Sequence, residues 1–109
     1  MTGDSDIIEP RELAQLLEGG NSPTLIDVRE QWEWEIGRIQ GARLIPLATI
    51  PGAVAAIDPS ADVVVYCHHG MRSDMAARFL RKAGVARVRN LVGGIDRWSD
   101  EVDPGVPRY

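Results

Sequence analysis

The side chains best suited to chemistry lie in one short stretch, residues 67–73. Cys67 is the only cysteine in the sequence. The residues that follow it are His68, His69, Gly70, Met71, Arg72 and Ser73. A thiolate is a strong nucleophile, and nearby cationic groups or a helix N-terminus favour that form of a cysteine. The pattern therefore predicts that Cys67 is a nucleophile held in an anion-binding loop.

The elements on either side of this stretch would position Cys67. The apolar, β-branched run at residues 63–66 predicts a strand that is covered on both faces, as in a parallel sheet. Small and apolar residues recur at helical spacing after the loop, which predicts a helix over residues 73–83. A loop between a strand and a helix directs backbone N–H groups inward, where the helix N-terminus also favours an anion. Gly70 would let this loop close tightly.

Alternative interpretations exist for the reactive group and for the two histidines. A lone cysteine after an apolar strand is often only a packing residue, but the polar residues that follow Cys67 place it at a strand mouth and favour a nucleophile. His68 and His69 could bind a metal with Cys67. Adjacent side chains on a tight loop rarely converge on one ion, and the sequence has no further Cys or His. We therefore expect no metal and no cofactor, with one histidine lining the pocket mouth and the other facing solvent.

The sequence also suggests roles for three further residues of the loop. Arg72 either binds an anionic substrate or pairs with Asp27 or Glu30 to brace the loop, and the sequence leaves both readings open. Ser73 is most simply the N-cap of the helix, with a hydroxyl contact to sulfur as the second possibility. Met71 is expected to form a pocket wall.

A second polar group follows the strand predicted at residues 24–28. In α/β folds, charged groups at the carboxyl end of a strand are often functional. Asp27 is expected to have a supporting role, with its carboxylate holding a neighbouring arginine or backbone amides. Arg29 either has a role in the site or belongs to a solvated loop or to an ion pair that closes the strand. Of Trp32 and Trp34, two residues apart on a short helical turn, one is expected in the core and the other at the rim.

The remaining segments alternate between strands and helices. We expect a short edge strand at residues 7–10, closed by its proline, further strands at 43–47 and 87–92, and helices at 11–19, 51–57 and 95–102. Such alternation predicts a single α/β domain over residues 1–109 with a mainly parallel sheet. Its core would span about residues 7–102, and residues 103–109 would form an extended tail on the surface.

Composition excludes several classes of protein. The chain has 109 residues, of which 44% are apolar and 26% charged, as in an ordinary soluble domain. The net charge of −4 argues against nucleic-acid binding. No run reaches the roughly 18 apolar residues of a membrane span, and residues 1–6 lack the pattern of a signal peptide. A lone cysteine fits a reducing compartment, and we expect a cytoplasmic protein.

Four motifs in this order resemble those of the rhodanese-like single-domain sulfurtransferases. They are Leu-Ile-Asp-Val-Arg at 25–29, Gly-Arg-Ile-Gln-Gly-Ala at 37–42, Cys-His-His-Gly-Met-Arg-Ser at 67–73 and Gly-Gly-Ile-Asp-Arg-Trp at 93–98. The resemblance covers nearly the whole chain and implies a parallel sheet of about five strands with helices on both faces. One departure is Arg38, which stands where the family commonly has a histidine.

The resemblance also implies an activity. Cys67 would take a sulfane sulfur from a donor such as thiosulfate, become a persulfide and pass the sulfur to a thiophilic acceptor, with cyanide as the usual laboratory acceptor. The substrate-binding cradle would be formed by His68, His69, Gly70, Met71, Arg72 and Ser73. A cysteine desulfurase or a sulfur-acceptor protein would be a possible partner. A carrier or docking module without enzymatic turnover is the alternative.

The length of the loop bears on a third possibility, a cysteine-dependent phosphatase or arsenate reductase. Four residues separate Cys67 from Arg72. The related phosphatases have a loop one residue longer, which makes room for a tetrahedral phosphoryl group. The shorter loop suits a single sulfur atom and favours sulfur transfer.

Overall fold

A five-stranded parallel sheet lies at the centre of the computed structural model, which describes residues 6–109. The strands are β1 (Ile7–Ile8), β2 (Thr24–Asp27), β3 (Arg43–Leu44), β4 (Asp62–Tyr66) and β5 (Arg87–Leu91). They are ordered β1-β5-β4-β2-β3, so the strand before Cys67 has neighbours on both sides. The predicted α/β class and the parallel sheet are confirmed. Residues 1–5, which include most of the segment judged not to be a signal peptide, lie outside the described range.

Within residues 6–109, four α-helices lie between successive strands and a fifth follows β5. They are α1 (Pro10–Glu18), α2 (Gln31–Ile36), α3 (Ile50–Ala53), α4 (Met71–Lys82) and α5 (Gly94–Glu101). Among the described residues, no helix is long and apolar enough to cross a membrane. The prediction of one continuous helix over residues 51–57 is wrong. This segment is instead the single turn α3, flanked by the 3₁₀ turns Leu47–Thr49 and Val54–Ala56.

Alternate residues of β4 bury two separate cores, one on each face of the sheet. Val63 and Val65 pack with α3 and with the small residues of α4. Val64 and Tyr66 pack on the other face, against α1 and α5. Because successive side chains of a strand point to opposite faces, the continuous apolar run at residues 63–66 requires helices on both sides of the sheet. The two cores therefore fix β4, and with it the residue that follows.

Two surface expectations were wrong. Neither tryptophan of α2 lies in the core, since Trp32 is 59% exposed and Trp34 is half-buried, whereas Glu33 between them is buried. The tail is not simply a surface segment either, because Val106 packs into the second core. Both differences bring charged or polar groups near the carboxyl ends of the strands, where Cys67 also lies.

Candidate active site

Cys67 directly follows β4 and lies at the carboxyl edge of the sheet. The side chain is only 1% exposed and packs with the first core. In a parallel sheet the carboxyl ends of neighbouring strands meet at one edge. The ends of β2 and β5 therefore bring residues 27–29 and 90–94 close to the Cys67 loop.

The sulfur of Cys67 sits in a cradle of hydrogen-bond donors. The N–H of Gly70 lies 3.1 Å from Sγ and the N–H of Ser73 lies 3.4 Å from it. Gly70 has φ +115, in the left-handed region that favours glycine. This conformation turns the chain into α4, whose first N–H groups have no acceptor within the helix. The loop thus directs backbone donors at the thiol, as a bound anion requires.

Ser73 does not cap the helix as predicted. The helix begins two residues earlier, at Met71, and Gly70 occupies the N-cap position. The Ser73 hydroxyl lies 3.3 Å from Cys67 Sγ, which is the second possibility considered above. It also donates to Asn90 Oδ1 at 2.6 Å. Since a hydroxyl has one proton to donate, the shorter distance indicates that Ser73 donates it to Asn90 rather than to the sulfur of Cys67.

Asn90 was not identified from the sequence. Its side-chain amide donates to the carbonyl of Gly70 at 3.0 Å, while its oxygen accepts from Ser73. Asn90 is the register partner of Val65 on the adjacent strand. The only signal in the sequence was that Asn90 is a polar residue inside the strand predicted over residues 87–92. That signal points to the site only once β5 is known to lie beside β4.

The start of α5 holds the loop from the other side. The N–H groups of Ile95 and Asp96 donate to the carbonyls of Cys67 (2.9 Å) and His68 (3.1 Å). The backbone approaches so closely here that a Cβ on Gly94 would lie 2.5 Å from the Cys67 oxygen and would also clash with the His68 oxygen. The glycine pair at residues 93–94 therefore permits the docking of α5 onto the loop.

Arg72 pairs with neither of the partners considered from the sequence. Its Nη1 and Nη2 bind the two carboxylate oxygens of Glu33 at 2.6 and 2.8 Å. This bidentate bond holds the pKa of Glu33 at about 2. Glu33 was overlooked, although Glu30 and Glu33 form a capping box at the start of α2. That motif turns the Glu33 carboxylate back towards the strand ends.

Asp27 and Arg29 form a buried ion pair beside the loop. The Arg29 Nη2 donates to Asp27 Oδ2 at 2.7 Å, and the Arg29 backbone N–H donates to Asp27 Oδ1 at 2.9 Å. Arg29 also donates to the carbonyl of Gly37 at 2.6 Å. Both side chains are fully buried, so Arg29 is not part of a solvated loop.

Tyr109 was not identified from the sequence, and it connects the tail to the site. Its hydroxyl accepts a hydrogen bond from Arg29 at 2.9 Å and donates one to Glu33 at 2.6 Å. Burial and the bond to Glu33 raise the pKa of Tyr109 to about 12, so the phenol keeps its proton. Its ring stacks on His68 with a centroid distance of 3.9 Å. No periodic pattern in residues 103–109 signals this contact.

A cavity of about 570 Å³ opens beside Cys67. Its lining comprises Cys67, His68, His69, Met71, Arg72, Asp74 and Met75. His68 is stacked between His69 and Tyr109, and burial lowers the pKa of its imidazole, which is therefore neutral at pH 7. His69 and Met71 are exposed at the mouth. Arg38, at the family's usual histidine position, stacks over Trp34 at 4.5 Å, away from these residues.

The arrangement suits one nucleophilic sulfur with a small anion-binding cradle. Within residues 6–109, no three His, Cys, Asp or Glu side chains come close enough together to hold a metal ion. A family model for the rhodanese-like domain matches residues 9–101. The chain belongs to the rhodanese-like domain family. Its fold and the order of its motifs agree with that membership.

Individual members of the family are similar over most of this rhodanese-like chain. A protein named Sulfurtransferase from Allochromatium vinosum is 37% identical over 92 residues, covering 84% of this chain and 86% of the relative. The human single-domain sulfurtransferase TSTD1 superposes with a TM-score of 0.82 at 27% identity, covering 91% of this chain and 98% of that one.

A longer relative contains the same domain as one of its parts. The probable adenylyltransferase/sulfurtransferase MoeZ of Mycobacterium tuberculosis is 38% identical over 104 residues. The match covers 94% of this chain but only 26% of MoeZ. The rhodanese-like chain thus spans about a quarter of the length of that relative.

Proposed function

We propose that this chain is a rhodanese-type sulfurtransferase that acts through a persulfide on Cys67. It moves a sulfane sulfur from a donor, thiosulfate or a protein persulfide, to a thiophilic acceptor such as cyanide, a thiol or a protein. Its family membership and the sulfurtransferase names of its relatives support sulfur transfer as the general activity. The donor and the acceptor are part of the proposal.

The observation that carries this proposal is the cradle around Cys67 Sγ. Donors at 3.1 and 3.4 Å stabilise negative charge on the sulfur, and they belong to a loop that is hydrogen-bonded to β5 and α5. Preorganised donors stabilise charge without a cost of reorganisation during the reaction. The same donors suit a thiolate before the transfer and a persulfide anion after it.

The two half-reactions balance without a cofactor. The Cys67 thiolate attacks the outer sulfur of thiosulfate, a new S–S bond forms, and the S–S bond of the donor breaks with its electron pair leaving on sulfite. Cyanide or a thiolate then attacks the outer sulfur of the Cys67 persulfide. That step forms thiocyanate or a new persulfide and returns the Cys67 thiolate.

The other loop residues take supporting parts in this proposal. Gly70 and Ser73 hold the reacting sulfur, while His68, His69 and Met71 shape the cavity around it. Arg72 positions the start of α4 through Glu33, and Asp27 fixes Arg29 beneath the loop. None of these assignments needs a bound metal ion.

Mass spectrometry of the intact protein tests the proposal. After incubation with thiosulfate or a low-molecular-weight persulfide and removal of the donor, we expect a mass gain of one sulfur atom. Addition of cyanide should remove the gain and release thiocyanate. The Cys67→Ser variant should show neither change. Absence of the gain with every donor tested would refute the proposal.

A non-enzymatic carrier is the second candidate, and one observation favours it. Met71 and Met75 are 81% and 62% exposed beside the Cys67 cavity, which suits contact with another protein. Ready transfer of persulfide from a cysteine desulfurase, combined with very slow turnover of thiosulfate and cyanide, would favour the carrier. Such a role would suit a reducing compartment such as the cytoplasm, where Cys67 stays free.

A further inference from the structure

The charge of the Cys67 cavity is set by how Arg72 is paired. Among the described residues that line the cavity, Arg72 is the only one with a guanidinium or ammonium group. Both of its terminal nitrogens bind the Glu33 carboxylate, whose side chain is 3% exposed. A bidentate pair of this kind fixes the orientation of the guanidinium as well as offsetting its charge. The positive charge of Arg72 is therefore offset before any sulfur donor enters the cavity.

The surrounding groups add no uncompensated positive charge. The Arg29 guanidinium is fully buried against Asp27. His68 is neutral at pH 7, and His69 lies 4.0 Å from the carboxylate of Asp96. Asp74, which also lines the cavity, is itself paired with a guanidinium on α4 at 3.0 Å. The cradle's backbone donors, the N–H groups of Gly70 and Ser73, are directed at Cys67 Sγ and so do not supply a second anion site.

The remaining wall of the cavity is mainly apolar. Met71 and Met75 lie one helical turn apart on α4 and line the cavity together, and Phe79, a turn further on, is also exposed. Methionine side chains adapt their shape to varied apolar partners. Such a wall favours contact with the carbon atoms of a donor over contact with a sulfonate group, which needs hydrogen-bond donors or a cation.

We propose that Glu33, by neutralising Arg72, makes the site select a sulfane sulfur carried on an uncharged organic group over the thiosulfate dianion. This inference rests on the proposed sulfur transfer and names its substrate class. In the step, the Cys67 thiolate attacks the outer sulfur of R–S–SH. One S–S bond forms at Cys67, the S–S bond of the donor breaks, and R–S⁻ leaves with the electron pair.

A series of sulfur donors with decreasing negative charge tests whether the site prefers uncharged organic groups. Persulfide formation on Cys67 is followed by rapid quench and mass spectrometry with three probes. They are thiosulfate, the persulfide of N-acetylcysteine and the persulfide of uncharged N-acetylcysteine amide. The quantity compared is the ratio of the second-order rate constant for thiosulfate to that for the amide persulfide. The intrinsic reactivity of each donor cancels when this ratio is compared between variants.

Glu33→Gln is the decisive variant. The carboxamide keeps an oxygen for Arg72 but removes the negative charge, so the guanidinium gains an uncompensated charge at the cavity. We expect the ratio to rise roughly tenfold, as for one partly exposed charge acting on a dianion. The corresponding ratio for the singly charged N-acetylcysteine persulfide to the amide persulfide should rise less. Glu35→Gln is the matched control, because it removes an exposed carboxylate from the same helix. Its ratio should stay within about twofold of the unmodified chain.

Met71→Lys provides a second variant whose folding is not in question, since the side chain is 81% exposed. It adds a cation at the cavity mouth and should also raise the ratio. A ratio that stays unchanged or falls in Glu33→Gln, while Cys67 persulfide still forms, would overturn the inference even if Met71→Lys raises the ratio. Failure of every donor to modify Cys67 would instead refute the proposed function.

Discussion

Tyr109→Phe isolates the hydroxyl that joins the tail to the active-site loop. The change removes one oxygen and keeps the ring that stacks on His68 at 3.9 Å. That oxygen accepts from Arg29 Nη1 at 2.9 Å and donates to Glu33 Oε2 at 2.6 Å. The variant therefore tests whether these two hydrogen bonds stabilise the fold, separately from the packing of the ring.

The two bonds contribute unequally to the expected loss. Glu33 keeps the bidentate bond from Arg72 and the N–H of Glu30, so the loss of one donor is partly compensated. Arg29 is fully buried, and its Nη1 loses the acceptor that Tyr109 provides. A buried donor left unsatisfied costs about 1–3 kcal/mol. We expect the free energy of unfolding to fall by about 2 kcal/mol and the melting temperature by about 8 °C.

Urea unfolding followed by circular dichroism measures this loss, with an unchanged m-value as the check for two-state behaviour. Trp32→Phe is the matched control, because Trp32 is exposed and touches the Tyr109 ring edge-on at 5.9 Å without using the hydroxyl. The control should change the free energy by less than about 0.5 kcal/mol. A Tyr109→Phe loss no larger than that of the control would refute the assigned role of the hydroxyl.

Two further substitutions probe the loop from its other contacts. The pKa of Glu33 is lowered to about 2 from 4.5. The ionised carboxylate therefore makes its full contribution to the free energy of unfolding above about pH 4.5, and that contribution is lost as the pH falls towards 2. In urea titrations, Glu33→Gln should lower the free energy of unfolding by about 3 kcal/mol at pH 6 and by about half of that at pH 3. An equal loss at the two pH values would contradict a stabilising role for ionised Glu33. Gly94→Ala should cost at least about 3 kcal/mol and slow Cys67 persulfide formation, because its Cβ clashes with the Cys67 oxygen. Gly20→Ala shares the positive φ but meets no atom within 4 Å, so a cost of only about 1 kcal/mol is expected, and equal losses would refute the clash.

The parts of the fold that could be predicted are those specified by local pattern. The β-branched run at residues 63–65 needs apolar cover on both faces, and the small residues of α4 supply it on one side. The thiol at the end of that run therefore falls at the carboxyl edge of the sheet whatever the order of the other strands. That is why Cys67 and its loop could be located from the sequence alone.

The contacts that brace the loop depend on distances along the chain that no local pattern encodes. Arg72 meets Glu33 across 39 residues, and Arg29 meets Tyr109 across 80. The choice of Glu33 over Glu30 depends on the register of a six-residue helix, which is set by its capping box. Asn90 likewise enters the site only because β5 lies beside β4.

The charged and polar side chains beside the loop form one connected chain rather than separate pairs. It runs from Asp27 through Arg29 and Tyr109 to Glu33 and Arg72, and so joins the end of β2 to the first turn of α4. Burying such groups costs free energy unless each is paired. The tail supplies the hydroxyl that links the two ion pairs, so displacement of the tail would leave polar groups in both pairs with fewer partners. The position of the Cys67 cradle should therefore depend on the tail, although no residue of the tail touches the sulfur.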